Sequence, residues 1–363
     1  MKLEVTQENL SRALSTVSRV AHAKTSLPIL NNILFRAEKN RLVLAATNLE
    51  VAITEHVGAK VVREGVITIP ARLVGDYVAN LPKGTITLSL DGTKLHMETD
   101  NYKSSLNGVV SDEFPALPEI TDATTLAIPA STIKRAIQQT ILTVSHDETR
   151  PILTGVYFHT TDGTLFMAGT DGYRLSERRV LETTETIQAI VPAATLQDVV
   201  RVMPDDCDEV TMLINEQQVQ FLLGDVTITS RLIDGKYPDY RQLIPVENET
   251  VFKADKDELN RIVKIASLFA RESGGSITIT TDTTKSVASI HSLASQLGEN
   301  TSELSTIPTS DGAITLNSRY LIEALGVVDA KEIEFGFSGK LAPCVIRGTG
   351  DEMYIHIIMP LKS

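Results

Sequence analysis

The chain carries one pattern three times, and this repetition constrains its architecture more than any other feature. Pro28-Ile29-Leu30-Asn31-Asn32-Ile33-Leu34-Phe35 aligns with Pro151-Ile152-Leu153-Thr154-Gly155-Val156-Tyr157-Phe158 at a spacing of 123 residues. Ala46-Thr47-Asn48 aligns with Gly169-Thr170-Asp171, and Phe114-Pro115 with Tyr237-Pro238, at the same spacing. Pro70 and Pro82 return as Pro192 and Pro204, with Asp76 and Val78 matched by Asp198 and Val200. A fainter third copy runs from Asn317-Ser318-Arg319 through Glu323, Leu325 and Val328, and closes on Met359-Pro360. Three units of about 121 residues fill the 363-residue chain, so each must be one structural module. Proline and polar residues cluster near 120–125 and 246–250, which places the expected domains at 1–121, 126–246 and 247–363.

Each unit has the same internal plan. A short strand leads into an amphipathic helix: Leu10, Ala13, Leu14 and Val17 after the N-cap candidate Thr6 in the first copy. Ile133, Ala136, Ile137 and Ile141 form the stripe in the second copy, with Ser131 or Thr132 as cap. Leu259, Ile262, Val263 and Ala266 form it in the third. Alternating segments such as Thr85-Ile86-Thr87-Leu88-Ser89-Leu90 read as strands, and Asp91-Gly92 behind that one is a hairpin signal. A second short helix follows each Pro70-type segment. The expected fold class is therefore α+β: three repeated domains, each with two helices packed on antiparallel sheets.

Composition excludes several functions. No window approaches the ~18 continuous apolar residues of a membrane span. The charged start, Met1-Lys2-Leu3-Glu4, predicts no export signal, and Cys207 and Cys344 are too far apart for a CxxC site. A reducing, cytoplasmic setting is expected, with no metal and no cofactor. Phosphate-loop, GxGxxG and HExxH motifs are absent, and the seven histidines have no ligand spacing. Ser145-His146-Asp147 lists the residue types of a catalytic triad, but a triad is assembled by geometry across a fold, and a charged loop explains these residues and Glu148. Thr170-Asp171-Gly172 reads as an Asx turn. A non-catalytic protein is expected; the alternatives are a repeat scaffold for protein ligands and a β-rich hydrolase using such acids as Asp171.

Several segments together resemble a known family. Ser26-Leu27-Pro28-Ile29-Leu30 and Thr47-Asn48-Leu49-Glu50 are similar to the first domain of the bacterial DNA polymerase III beta subunits, the sliding clamps. Thr170-Asp171-Gly172-Tyr173-Arg174-Leu175, Asp234-Gly235-Lys236-Tyr237-Pro238-Asp239-Tyr240-Arg241 and Met359-Pro360-Leu361 resemble the second and third. The resemblance implies a homodimer closed head to tail into a ring around double-stranded DNA. Its partners would be the polymerase III catalytic subunit, the clamp loader and other proteins bearing a short clamp-binding peptide. It implies a peptide site at Leu153, Thr170, Gly172, Tyr173, Arg174, Leu175, Pro238, Gln242, Leu243, Pro343, Ile357, Met359, Pro360 and Leu361. Most of these are apolar or small and are expected in turns or at the chain end, where an apolar patch marks a binding site. Tyr173, Gln242 and the Leu361-Lys362-Ser363 ending depart from common family residues, which bears on peptide preference.

The resemblance also implies DNA contact at Lys24, and helix or loop placement adds Arg150, Arg19, Arg72, Lys134, Arg201 and Arg319. The chain carries a net charge of −12, which by itself disfavours nucleic acid, yet the six expected helices together carry +3. A mildly basic surface suits sliding, because each neutralised phosphate adds affinity and a closed ring needs little. Leu106, Leu268 and Phe269 are expected at the boundary between subunits, where edge strands would pair.

Overall fold

The computed structural model describes residues 1–21, 27–296 and 298–361. Contacts gather the chain into two compact units: Met1–Ser131 with Ala194–Leu232, and Thr132–Ala193 with Ile233–Ser363. The middle repeat is thus shared between them, a division the linear repeat does not announce.

The first unit is built on an eight-stranded antiparallel sheet. Its order is Thr124–Pro129, Glu209–Ile214, Gln218–Leu223, Val226–Arg231, Val51–Gly58, Arg41–Thr47, Asn32–Glu38, Gly65–Pro70. The seam between repeats is the pairing of Val226–Arg231 with Val51–Gly58, which sets Ser230 opposite Val51. A five-stranded sheet completes the unit, with Lys103–Asn107 at one edge.

The second unit repeats this construction. Its eight strands run Gln188–Pro192, Gly155–Thr161, Thr164–Thr170, Arg174–Glu182, Tyr354–Ile358, Cys344–Gly348, Glu332–Phe337, Thr250–Asp255. Here the seam joins Arg174–Glu182 to Tyr354–Ile358, with Arg174 opposite Ile358. In both sheets, pairing across the seam satisfies two backbone edges that each repeat alone would leave open. A four-stranded sheet edged by Gly298–Ser305 completes this unit.

Among the described residues each repeat holds two α-helices: α1 (Gln7–Val17) and α2 (Ala71–Ala79), α3 (Ala130–Thr140) and α4 (Ala193–Val202), α5 (Lys256–Phe269) and α6 (Ser318–Val327). The α+β reading holds. Thr6 caps α1 by accepting from the Asn9 amide, and Leu10, Ala13, Leu14 and Val17 are its buried face. Asp255 does the same for α5 through the Glu258 amide, above a core that includes Leu259, Val263, Phe252 and Phe335. One expectation needs correction. The α3 helix begins at Ala130, whose amide donates to the Asp208 carbonyl, so Ser131 and Thr132 lie inside the first turn and do not cap it.

The repeat extends to individual hydrogen bonds. The Thr170 hydroxyl accepts from the Gly172 amide and donates to the Arg174 carbonyl, while Asp171 Oδ1 accepts from the amides of Tyr173 and Arg174. In the first repeat, the Thr47 hydroxyl accepts from Leu49 and donates to the Val51 carbonyl, and Asn48 Oδ1 accepts from Glu50 and Val51. Both turns need a left-handed residue at the third position: Gly172 at φ 91° and Leu49 at φ 78°. Glycine adopts it freely, whereas leucine does so at a steric cost.

Candidate partner-binding site

The seam of the second unit brings together most of the residues expected to bind peptide. Leu175 and Ile357 face each other across it and pack with Leu153, Tyr237, Tyr240 and Val345 in one apolar cluster. Leu175 is 2% exposed and Ile357 1%. These two therefore lie in strand interiors, not in turns as expected, and supply a floor. The rim comes from the turns: Gly172, Pro238, Gln242 and Leu243 are exposed, and Tyr173 is 63% exposed. Pro343, Met359, Pro360 and Leu361 are half-buried beside it. The Met359 amide donates to the Tyr173 carbonyl at 2.8 Å and the Leu361 amide to the Thr315 carbonyl at 2.8 Å, which fixes the end of the chain against the turn.

Arg174 and Thr170 hold this frame rather than forming its open surface. Thr170 is buried, and its amide donates to the Tyr237 hydroxyl at 3.1 Å. The buried Arg174 side chain donates through Nε to Asp171 Oδ2 at 3.0 Å and through Nη1 to Glu323 Oε2. Its guanidinium also lies over the Tyr320 ring, 4.4 Å from the centroid. Glu323 accepts from Arg319 Nε at 2.8 Å as well. Burial pushes the Glu323 carboxyl up, but hydrogen bonds from the two arginines outweigh it and hold the group below the usual carboxylate range. Sequence reasoning missed Tyr320 and Glu323; α6 lies far along the chain, and no local pattern links it to Arg174.

A polar relay braces the floor. Tyr240 donates to Glu177, which also accepts from Arg241 Nε at 3.0 Å, and His159 Nε2 lies 2.7 Å from the Tyr240 hydroxyl. With the tyrosine proton directed at Glu177, His159 Nε2 is the donor to the tyrosine oxygen. Burial, then the Arg241 charge, holds the imidazole down at about 4, so it is neutral.

The expected DNA-contacting residues divide between the two units: Arg19, Arg72 and Arg201 belong to the first, and Lys134, Arg150 and Arg319 to the second. Arg19 and Arg201, both exposed, line an open cavity of about 840 Å³ with Arg12, which sequence reasoning missed. Arg12 approaches Glu55 at 3.8 Å, while burial raises the Glu55 carboxyl. Arg72 pairs with Asp76 at 3.9 Å, Lys134 is half-buried on α3, and Arg319 is tied to Glu323. Arg150 pairs with Asp147 at 3.2 Å and reaches the turn at Gly172. Lys24 lies outside the described residues. Of the expected boundary residues, Leu106 is buried on the edge strand Lys103–Asn107, Leu268 is 52% exposed at the end of α5, and Phe269 is half-buried. Ser145, His146 and Asp147 form a turn: the Asp147 amide donates to Ser145 Oγ, and its carboxylate binds Thr149 and Arg150.

Comparison with known proteins covers the chain without a large gap. Residues 1–118 match the N-terminal domain of the DNA polymerase III beta subunit, 127–239 its central domain, and 241–362 its C-terminal domain. The beta sliding clamp of Staphylococcus aureus is 27% identical over 376 residues, covering all of both chains. That of Synechocystis is 29% identical over 391 residues, covering all of this chain and 99% of the relative. The solved DNA polymerase sliding clamp of Bacillus subtilis superposes with a TM-score of 0.95 at 26% identity, over all of this chain and 99% of that one. The chain belongs to the DNA polymerase III beta subunit family, the beta sliding clamps.

Proposed function

We infer that this chain is a DNA sliding clamp, which encircles duplex DNA without reading its sequence and tethers the replicative polymerase to it. The observation that carries this reading is the match of all three repeats, in order, to the three clamp domains. Two copies would close head to tail. Lys103–Asn107 in the first repeat and Gly298–Ser305 in the third leave sheet edges that a second copy can satisfy, with Leu268 and Phe269 adding apolar contact. Arg12, Arg19 and Arg201, with Lys24 on the family pattern, would supply weak, salt-sensitive phosphate contacts.

The exposed rim and apolar floor at the Leu175–Ile357 seam suit a short, partly hydrophobic peptide from the polymerase III catalytic subunit, the clamp loader or a repair protein. Met359 gives a polarizable wall that can fit several sequences. The activity is topological, works in the cytoplasm beside the DNA, and needs no catalytic residue, metal or cofactor. Primer extension with the polymerase tests it. Full-length protein should lengthen the products per binding event, and removal of residues 359–363 should abolish that gain while leaving the dimer intact. Full stimulation by the truncated chain would refute the peptide site.

A further inference from the structure

The first unit contains a second copy of this frame. Val51 faces Ser230 as Arg174 faces Ile358, and the Thr47–Val51 turn carries the hydrogen bonds of the Thr170–Arg174 turn. In that register, Ala52 and Thr229 occupy the places of Leu175 and Ile357. Glu50 stands where Tyr173 stands, Arg231 where Met359 stands, and Pro115 where Pro238 stands. A hollow of about 250 Å³ opens there, with Leu49, Pro115, Pro118, Gln218, Thr229 and Arg231 among its walls.

The chemistry of the copy differs. Exchanging Leu and Ile for Ala and Thr removes the apolar floor and leaves a hydroxyl in its place. Thr229 Oγ1 accepts from Gln220 Nε2 at 2.8 Å, so its own proton can be directed into the hollow. Arg231 is exposed, and among the described residues its guanidinium enters no ion pair. Thr229 and Arg231 thus both line the hollow, at the places where the first site presents Ile357 and Met359. Leu49, 47% exposed, and the two prolines offer apolar contact to the stem of an extended chain. Glu50 at the mouth repels a continuous polyanion such as nucleic acid but tolerates a single carboxylate flanked by neutral residues.

We propose that this hollow is a second peptide-binding site, which takes an extended segment through one acidic side chain held by Arg231 and Thr229. It goes beyond the tethering role and borrows from that reading only the shape of the frame. The test uses full-length protein and fluorescence anisotropy with two labelled peptides, Gly-Ser-Glu-Leu-Ser-Gly and Gly-Ser-Leu-Leu-Phe-Gly. The acidic probe should bind with a Kd at or below about 1 mM. Arg231→Glu should weaken it about tenfold or more, as expected for loss of a charge-assisted hydrogen bond, and Gln218→Trp should block it by filling the hollow. Arg231 is exposed and Gln218 is half-buried at the wall of the hollow, so both variants should fold, and unchanged circular dichroism would check this. Neither should alter binding of the apolar probe. Acidic-probe binding that resists both substitutions, that is lost on removal of residues 359–363, or that is absent at about 1 mM would overturn the proposal. So would displacement of the acidic probe by a short duplex in wild type but not in Arg231→Glu. Loss of the apolar probe alone would instead count against the first site and leave this one standing.

Discussion

Replacing Glu323 by Gln perturbs the charge beneath the candidate peptide site with almost no change in shape. Arg174, its side chain 7% exposed, has two acidic partners, Asp171 and Glu323. Removing the partner of a buried charge costs about 3–5 kcal/mol. Asp171 remains in Glu323→Gln, and Glu323 is itself 31% exposed, so screening brings the expected loss to about 1–2 kcal/mol. Amide exchange in the strand Arg174–Glu182 reads this loss locally, as roughly 5–30-fold faster exchange where opening is in rapid equilibrium. The pH dependence gives the sign. Glu323 has a lower pKa folded than unfolded, because the two arginines outweigh burial. Its contribution is therefore complete above the ordinary value of 4.5 and disappears as pH falls through the folded value. The ratio of variant to wild-type exchange should accordingly be large at pH 7 and approach one in acid. A ratio near one at pH 7, or a large ratio unaffected by acid, would refute the electrostatic reasoning.

His159 is held neutral down to about pH 4 in the fold but titrates near 6.5 when unfolded, so the unfolded chain takes up the proton first. Stability of the second unit should fall as pH drops between those values, and a melting-temperature profile of His159→Gln should lack that component. Arg19→Glu with Arg201→Glu, both exposed, should leave the fold intact and reduce the slope of log affinity for duplex DNA against log salt by about two; an unchanged slope would remove them from the DNA contact. Leu268→Ala with Phe269→Lys should give a folded monomer in sedimentation, and an unaltered dimer would exclude these residues from the boundary.

The elements were readable because their signals are local. Thr6 before an apolar stripe, prolines spaced before short helices, and Thr-Asp-Gly at 170–172 each fix a few neighbouring backbone angles, and all appear in the structure. The regrouping of three repeats into two units was not readable, since it depends on strands such as Val51–Gly58 and Val226–Arg231 that meet only in three dimensions. Resemblance selects Leu175 and Ile357, but the expected reason differs from the structure: both lie in paired strands that are buried on both faces at this point, not in exposed turns. Arg174 has the same lesson in its charge. Its half-buried partner Glu323 is 149 residues away, beyond any motif.

Encirclement is tested most directly by topology. The protein, labelled at an introduced surface cysteine, is loaded onto a nicked circular plasmid with the clamp loader and separated from free protein by gel filtration. It should stay with the circle through a wash at high salt, because a closed ring is held by linkage and not by affinity. A single restriction cut should then release it within minutes as the ring slides off the ends. Equal retention on cut and uncut DNA, or release of both by salt, would contradict a clamp.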